Sequence, residues 1–465
     1  MKKRIHLFAL VLVVILLLSA CSTTAASGSS AEPQATSPSE GSPQPAGEDA
    51  AEYFEDKDPS QYSGTLTLLA HSEQLNPMIE KFQEKYPGIK VEMSLVAGTE
   101  QLTKITSMVQ SGVDVPDLYT CRTQFVRGLV ETEGYYADLS KAPFNGNDLA
   151  VGLTPYTVDL GRDLNGDIRV LSWQAPIGGV FYRRSLAKEY FGTDDPNEIS
   201  KLFTTYDQCI ETAREVNEKS GGQVKAFSDF SQDLFFPMRY AGTKGWVTDG
   251  KLTIDDNMPK IFEYAKTIYD EDLDLKTVKY QNDFFQAIEN KKLFCVIGPT
   301  WALNFNLMPS SPDTAGDWGL AHMPNSYNQG GTFIGIYDGC KQKELAWQFI
   351  KFLFSDEDAI KYYATTAGDY VSNTKVQQEI AALPESERNA QPTFSYMGGQ
   401  NIYQFYNDEL AKGVNSSIVT NYDERFDAYM IAAIKLYCDG SKTYEEAIET
   451  FKQDVATNAP EVVIE

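Results

Sequence analysis

Between Thr65 and Leu95 the spacing of apolar residues switches from strand to helix and back to strand. Thr65-Leu66-Thr67-Leu68-Leu69 is strand-like, and Asn76-Pro77 offers an N-cap followed by a proline at the first helical position. Leu75, Met78, Ile79, Phe82 and Tyr86 then recur at helical spacing until Pro87-Gly88 stops the run. Ile89, Val91, Met93 and Leu95 alternate with polar residues, the pattern of a strand with one wetter face. A strand, a helix and a strand so closely joined pack best as a parallel pair with a right-handed crossover. A second helix through Leu102, Ile105, Met108 and Val109, ended at Ser111-Gly112, and a strand at Leu118–Cys121 extend the unit. The result is a doubly wound α/β lobe.

One lobe cannot absorb the whole chain. Domains run to about 100–200 residues, so 465 residues imply at least two. Past the first lobe the alternation is broken by insertions. Asn165-Gly166, between Leu164 and the apolar run Ile168–Trp173, predicts a hairpin turn. Asp163, Asn165 and Asp167 faintly resemble a calcium loop, but the glycine comes one place too early, and the turn is preferred. Strands are expected at Leu293–Ile297 and Gly335–Tyr337, and a long helix through Leu345, Phe349, Ile350 and Leu353. Ser355 with Asp358 predicts a capping box for the next helix, and Thr443 with Glu446 another near the end. Phe426, Met430, Ala433 and Tyr437 form a helical stripe, and no internal repeat is found. Such a pattern fits two α/β lobes between which the chain crosses more than once.

The N-terminus reads as an export signal. Lys2, Lys3 and Arg4 precede an apolar run, Leu7–Leu18, which is short for a membrane span and suits a signal peptide over 1–20. Leu18-Ser19-Ala20-Cys21 resembles the lipobox of bacterial lipoproteins, which implies cleavage before Cys21 and diacylglycerol on its sulfur. Residues 21–61 are rich in Ser, Ala, Pro and Gly and read as a disordered tether, because they carry too little apolar bulk to fold. Removing three positive charges leaves 37 − 65 = −28 on the mature chain. A surface so acidic repels phosphate backbones and excludes nucleic acid as a partner. His6, His71 and His322 are the only histidines, too few for a His-rich metal centre. Beyond Cys21 the five cysteines are scattered, without a CxxC, and Cys121, Cys295 and Cys340 read as small buried residues on strands, although one bridged pair stays open.

Several passages, in order along residues 62–452, carry a family resemblance. Lys81 to Val91, KFQEKYPGIKV, is similar to a helix-to-strand passage F-x-x-x-x-P-G-I-K-V, and Pro116-Asp117-Leu118-Tyr119 to a strand entry. Val180 to Leu186 takes the place of an l-Y-N-K-x-L strand, with Arg183 where asparagine is usual. Phe285 to Trp301 resembles F-x-x-G-k-A-M-x-x-x-G-x-W, with Asn290 in the glycine place and Leu293-Phe294 for Ala-Met. Glu344 to Leu353, ELAWQFIKFL, matches e-x-A-w-x-F-i-k-F-l best. The chain thus resembles the extracellular sugar-binding proteins of ABC importers, the group that includes maltose-binding protein.

That resemblance implies a two-lobe periplasmic-binding-protein-like α/β fold with three interlobe crossings and a ligand cleft between the lobes. The crossings are expected near Trp173–Pro176, Leu320–Pro324 and Asp369–Asn373. Lobe 1 is then 62–173 with 324–371, and lobe 2 is 174–323 with 372–465. The implied task is capture of a carbohydrate, preferably an oligosaccharide, and delivery to permease subunits served by a cytoplasmic ATPase. The protein is expected to act as a monomer, held to the cell membrane by its lipid alone and facing the extracellular side or periplasm. No catalytic residue, metal or cofactor is expected. Expected ligand contacts are Trp301 as sugar platform, Trp173, His71 and Glu73 after the first strand, Arg122 and Gln124 after the third, and more weakly Asp229, Asp369 and Tyr370. Trp246, Trp318 and Trp347 read as packing. The rival readings are a surface glycan-binding lipoprotein, a lipoprotein that hydrolyses glycosides, and a binding protein for another solute such as a polyamine.

Overall fold

The computed structural model describes residues 52–465. The signal peptide, Cys21 and most of the expected tether lie outside the described residues. Among the described residues no helix is long and apolar enough to cross a membrane.

The strand–helix–strand opening folds as its periodicity requires. Strand β1 (Gly64–Ala70) pairs in parallel with β2 (Ile89–Leu95) across helix α1 (Asn76–Lys85). Leu66 and Leu68 of β1 are fully buried, and α1 buries Met78, Ile79 and Phe82. Phe82 sets its ring edge-on to Phe349 and Phe352, with centroids 5.0 and 5.3 Å away, on the helix Lys343–Ser355. Each such buried side chain is worth about 1.5–3 kcal/mol. Helix α2 (Gln101–Ser111) stops at Gly112, whose φ of 65° places it in the left-handed cap position. Strand β3 (Leu118–Arg122) then adds to β1 in parallel.

The next two strands belong to different sheets. β4 (Leu171–Ser172) lies at the far edge of the first sheet, and β5 (Gly178–Arg183) opens the second. A two-residue hairpin pair follows, β6 (Val247–Thr248) and β7 (Lys251–Leu252), then β8 (Cys295–Pro299), β9 (Trp318–Ala321) and β10 (Thr332–Ile336). The first sheet has the order β2-β1-β3-β10-β4, with β10 antiparallel to its neighbours; the second has the order β8-β5-β9, antiparallel throughout. The chain therefore leaves the first sheet after Ser172, returns before Thr332, and passes a third time at Tyr370–Asn373, where Val371 bridges Gln174. A second buried cluster, built on Val180, Phe227, Trp246, Phe262 and Phe426, surrounds the three-stranded sheet.

Local details correct some sequence expectations. Asp356, not Ser355, caps the helix Glu357–Thr366: its carboxylate accepts from the Ala359 amide at 3.0 Å, while the Ser355 hydroxyl turns back to the Lys351 carbonyl. Asn76 makes no side-chain cap. The Thr443–Glu446 box is present. The turn at Asn165-Gly166 forms, with Gly166 at φ 85° and Arg162 bridging Ile168. Asp163 there accepts from the Asn165 and Asp167 amides and from Arg169, so its oxygens are used by the protein rather than left for a cation. Cys340 is buried in a turn after β10, not on a strand, and the five described cysteines are all free. Arg183, in the asparagine place, is buried on Asp317 at 2.7 Å and on the Ile288 carbonyl. The end of the expected tether does not run free. Phe54 packs edge-on to Phe144, its amide bonds the Pro143 carbonyl at 2.9 Å, and Asp56 and Lys57 pair with Lys351 and Glu344.

Candidate functional site

The C-terminal ends of β1, β2 and β3 and the N-terminal end of the antiparallel β10 lie at one edge of the first sheet. His71 follows β1, Gly98 follows β2, and Arg122 ends β3. From the second sheet, Trp301 follows the end of β8 on a short helical turn begun at Thr300, and Phe305 lies four residues on, one helical turn away. These side chains meet around a cavity of about 270 Å³ lined also by Gln74, Gln124, Gln174, Gly330, Gly331 and Thr332. Open α/β sheets present ligands at such strand ends, because loops there are free to diverge. Larger hollows of about 530 and 630 Å³ exist, but they sit around Tyr156 and Leu410 and around Glu131 and Asp163, away from these strand ends.

Trp301 is half-buried and held in place. Its indole N–H donates to the Gln329 carbonyl at 2.9 Å, and its ring tilts against Tyr280 with centroids 5.8 Å apart. Gly330 and Gly331 make this possible. Both have left-handed φ, 77° and 104°, and a Cβ at Gly330 would lie 2.7 Å from the Trp301 Nε1. The Gly330 carbonyl accepts from the Thr123 hydroxyl at 2.6 Å. The indole edge is thus spent on the protein, and what the cleft receives from Trp301 is ring surface.

The opposite wall is polar and poor in internal partners. Burial holds the His71 imidazole pKa down at about 4, with the nearby Arg122 charge adding to the effect, so the ring is neutral at pH 7. Its Nδ1 is buried without a hydrogen-bond partner among the described residues. Burial also lowers the Arg122 pKa, and among the described residues its guanidinium forms no ion pair. Gln174 reaches back from the cleft: its Nε2 donates to the Asp369 carboxylate and, at 3.4 Å, to the Gln74 Oε1.

A model of the bacterial extracellular solute-binding proteins matches residues 77–391, which is most of the described body. The chain belongs to the bacterial extracellular solute-binding protein family. A lactose-binding protein of Rhizobium radiobacter is 23% identical over 386 residues, covering 77% of this chain and 86% of the relative. Among solved structures, an extracellular solute-binding protein family 1 member superposes with a TM-score of 0.73 at 12% identity, covering 84% of this chain and 99% of its own. The galacto-N-biose-/lacto-N-biose I-binding protein of the ABC transporter from Bifidobacterium longum, in complex with lacto-N-biose, gives 0.65 at 15% identity, covering 87% and 98%. At these identities the structures establish the fold, the two-lobe α/β arrangement.

In this solute-binding protein four of the nine expected contacts, His71, Arg122, Gln124 and Trp301, come together on the cleft. Glu73 is exposed beside it, and only its carbonyl is engaged, by the Asn76 amide. Asp369 and Tyr370 are fully buried, and Trp173 is 5% exposed. Asp369 accepts from Gln174, from the Tyr363 hydroxyl at 3.0 Å and from the Tyr370 amide at 2.9 Å; burial raises its pKa to about 6. The Trp173 indole donates to Tyr363 at 3.2 Å, and the Tyr370 hydroxyl to Asn407 at 2.6 Å. These three residues line the passage between sheets and stand behind the cleft wall. Asp229 is elsewhere: it caps the short helix Phe230–Asp233 through the Ser231 amide and lines a hollow of about 390 Å³ with Asp274, Tyr269 and Ile434. Trp246, Trp318 and Trp347 are buried in the cores. Sequence reasoning missed Gln74 and Gln174, each one residue from an expected contact. It also missed Phe305, whose signal was its spacing of four from Trp301, and the Gly330-Gly331 pair.

Proposed function

We propose that this protein captures a carbohydrate in the cleft between its two sheets and delivers it to an ABC importer. The observation that carries the reading is the half-buried Trp301 ring at a β8 strand end, opposed by Gln74, Gln124 and Arg122 from the other sheet. Sugars present weakly apolar C–H faces and a rim of hydroxyls, which match a ring surface and an array of amides. The names of its relatives, a lactose-binding protein and a lacto-N-biose-bound receptor, support the same class. A cavity of about 270 Å³ is at the small end for ligand sites, so an oligosaccharide would extend beyond it or open it. Hydrolysis is less well supported. It needs two carboxyl groups about 5–9 Å apart at the scissile bond, and the lining contains none among the described residues.

In this reading 62–173 with 324–371 is lobe 1 and 174–323 with 372–465 is lobe 2. They close on ligand by bending at the three passages, because contacts to both lobes exist only in the closed state. The permease and its ATPase are the partners, and the protein works as a single copy. Thermal shift against a glycan panel, then calorimetry, tests the assignment; a panel without a single stabilising glycan removes it.

The anchor is a separate part of the proposal. The apolar run before Cys21 and the small residues Ser19 and Ala20 support lipidation at Cys21 and a position on the outer face of the cell membrane. Cys21→Ser should release the protein from membranes or leave it unprocessed. A variant that matures and partitions into detergent as before sinks the lipid anchor.

A further inference from the structure

Among the described residues the cleft lining holds one formal positive charge and no negative one. Its lining contains Arg122 and three glutamines but no Asp or Glu, in a chain where Asp+Glu total 65 against 40 Lys+Arg. Arg122 differs from every other arginine of the described residues. The guanidinium of each of the others, Arg127, Arg162, Arg169, Arg183, Arg184, Arg214, Arg239, Arg388 and Arg425, donates to a protein oxygen. The deeply buried ones also have carboxylates, Asp317 beside Arg183, and Asp423 and Asp427 within 3.8 Å of Arg239. Arg122 donates to none, although it is partly buried against Gly98 and over the Phe125 ring at 5.9 Å.

A partly desolvated guanidinium with no ion pair, on which only the more distant Glu424 acts as a compensating charge, gains from a ligand that supplies a counter-ion. Its planar fork of five N–H donors fits a two-oxygen acceptor. Among the described residues no carboxylate lines the cavity beside Arg122. Gln174 spends its amide nitrogen on Asp369 and Gln74, which occupies the Gln74 oxygen and leaves the Gln74 amide nitrogen as a donor. The Gly330 carbonyl is taken by Thr123. The wall thus offers the Arg122 fork and the Gln74 and Gln124 amide nitrogens as donors, and the Gln124 and Gln174 amide oxygens as acceptors. Neutral hydroxyls can use those amides, but only an anion also neutralises the Arg122 charge.

We propose that the ligand is an acidic glycan whose anionic group, a sugar carboxylate or a sulfate ester, pairs with Arg122 while a neighbouring ring covers Trp301. This inference rests on the carbohydrate-binding reading and narrows it to a charge class. The test uses the full-length protein in detergent and calorimetry with matched probes. Lactose, 3′-sialyllactose and lactose 6′-sulfate share one core, and galactobiose is set against digalacturonate. The expected result is an acidic probe binding at least about 10-fold tighter than its neutral counterpart. Arg122→Gln should bring the ratio of acidic to neutral affinity down to about one, and Arg122→Lys should recover part of it, with melting curves confirming that both variants fold. The carboxylate and sulfate probes separate the two sources of charge. If neutral probes bind as well as acidic ones and depend on Trp301, the carbohydrate reading stands and the acidic ligand falls. If Arg122→Gln weakens neutral and acidic probes alike, the anion pairing falls too. If no probe of either kind binds, both readings fail together.

Discussion

Two neighbouring clusters of polar and aromatic residues share Gln174 and differ in how far their hydrogen bonds are satisfied. In the passage between sheets, Asp369 takes three donors, Tyr363 relays between Asp369 and Trp173, and Tyr370 ends on Asn407. In the cleft, neither the Arg122 guanidinium nor the His71 Nδ1 has a hydrogen-bond partner among the described residues. Both clusters contain residue types that bind sugars. The first has already spent them on holding the two crossing segments together, where Ser372 and Ala175 amides also bond Trp173 and Tyr370 carbonyls at 2.9 Å. The second keeps its capacity open. Residue type thus separates neither cluster from the other; residual hydrogen-bonding capacity does.

Three measurements would break or sharpen that contrast. The largest effect is expected in the satisfied cluster. Asp369→Ala strands Gln174, Tyr363 and the Tyr370 amide, and should cost about 2–4 kcal/mol of stability by denaturant unfolding. Affinity of the folded variant should fall by less than about 1 kcal/mol, since Asp369 reaches ligand only through Gln174. A variant of native stability that no longer binds would make Asp369 a direct contact. Next is the open cluster. Trp301→Ala should cost about 1–3 kcal/mol of glycan affinity, roughly 5- to 150-fold by calorimetry, with a small change in melting temperature. A large melting loss with unchanged affinity would move Trp301 to the core.

The smallest effect concerns His71. Its folded pKa, about 4, lies below the unfolded value near 6.5, so the native state resists protonation. The linked stability is fully present above pH 6.5 and is lost as the pH falls through about 4. His71→Gln cannot titrate and should gain on the wild type by about 1 kcal/mol between pH 7.5 and pH 4.5, after allowing for the partial exposure of the ring. Parallel urea titrations at the two pH values check it. A constant difference would mean that His71 is well solvated and not part of a dry wall.

Much of the fold was legible because its signals are local. The period switch across Thr65–Leu95 fixed a parallel pair, and the Thr443–Glu446 box marked a helix start. The site was legible only in part, since strand-end position can be read from sequence and satisfaction cannot. Arg122 and His71 stand at predicted strand ends and line the cleft. Trp173 and Asp369 stand at predicted crossings, yet their partners lie up to 195 residues away. Nothing near Asp369 announces that Gln174 will claim it. Asp229 shows the converse failure: an isolated acid beside aromatics looked like a contact, and it serves as a local helix cap. Asp356 outcompeted Ser355 as a cap because the serine hydroxyl had its own carbonyl one turn back.

The fixed position of Trp301 also has an optical consequence. The chain has five tryptophans, and the other four, Trp173, Trp246, Trp318 and Trp347, are 5%, 1%, 0% and 1% exposed. A small collisional quencher such as acrylamide therefore has one accessible indole, at the cleft. Its emission carries a component that reports occupancy of the cavity against a shielded background from the cores. A ligand that covers the ring should protect that component from the quencher without any label being added.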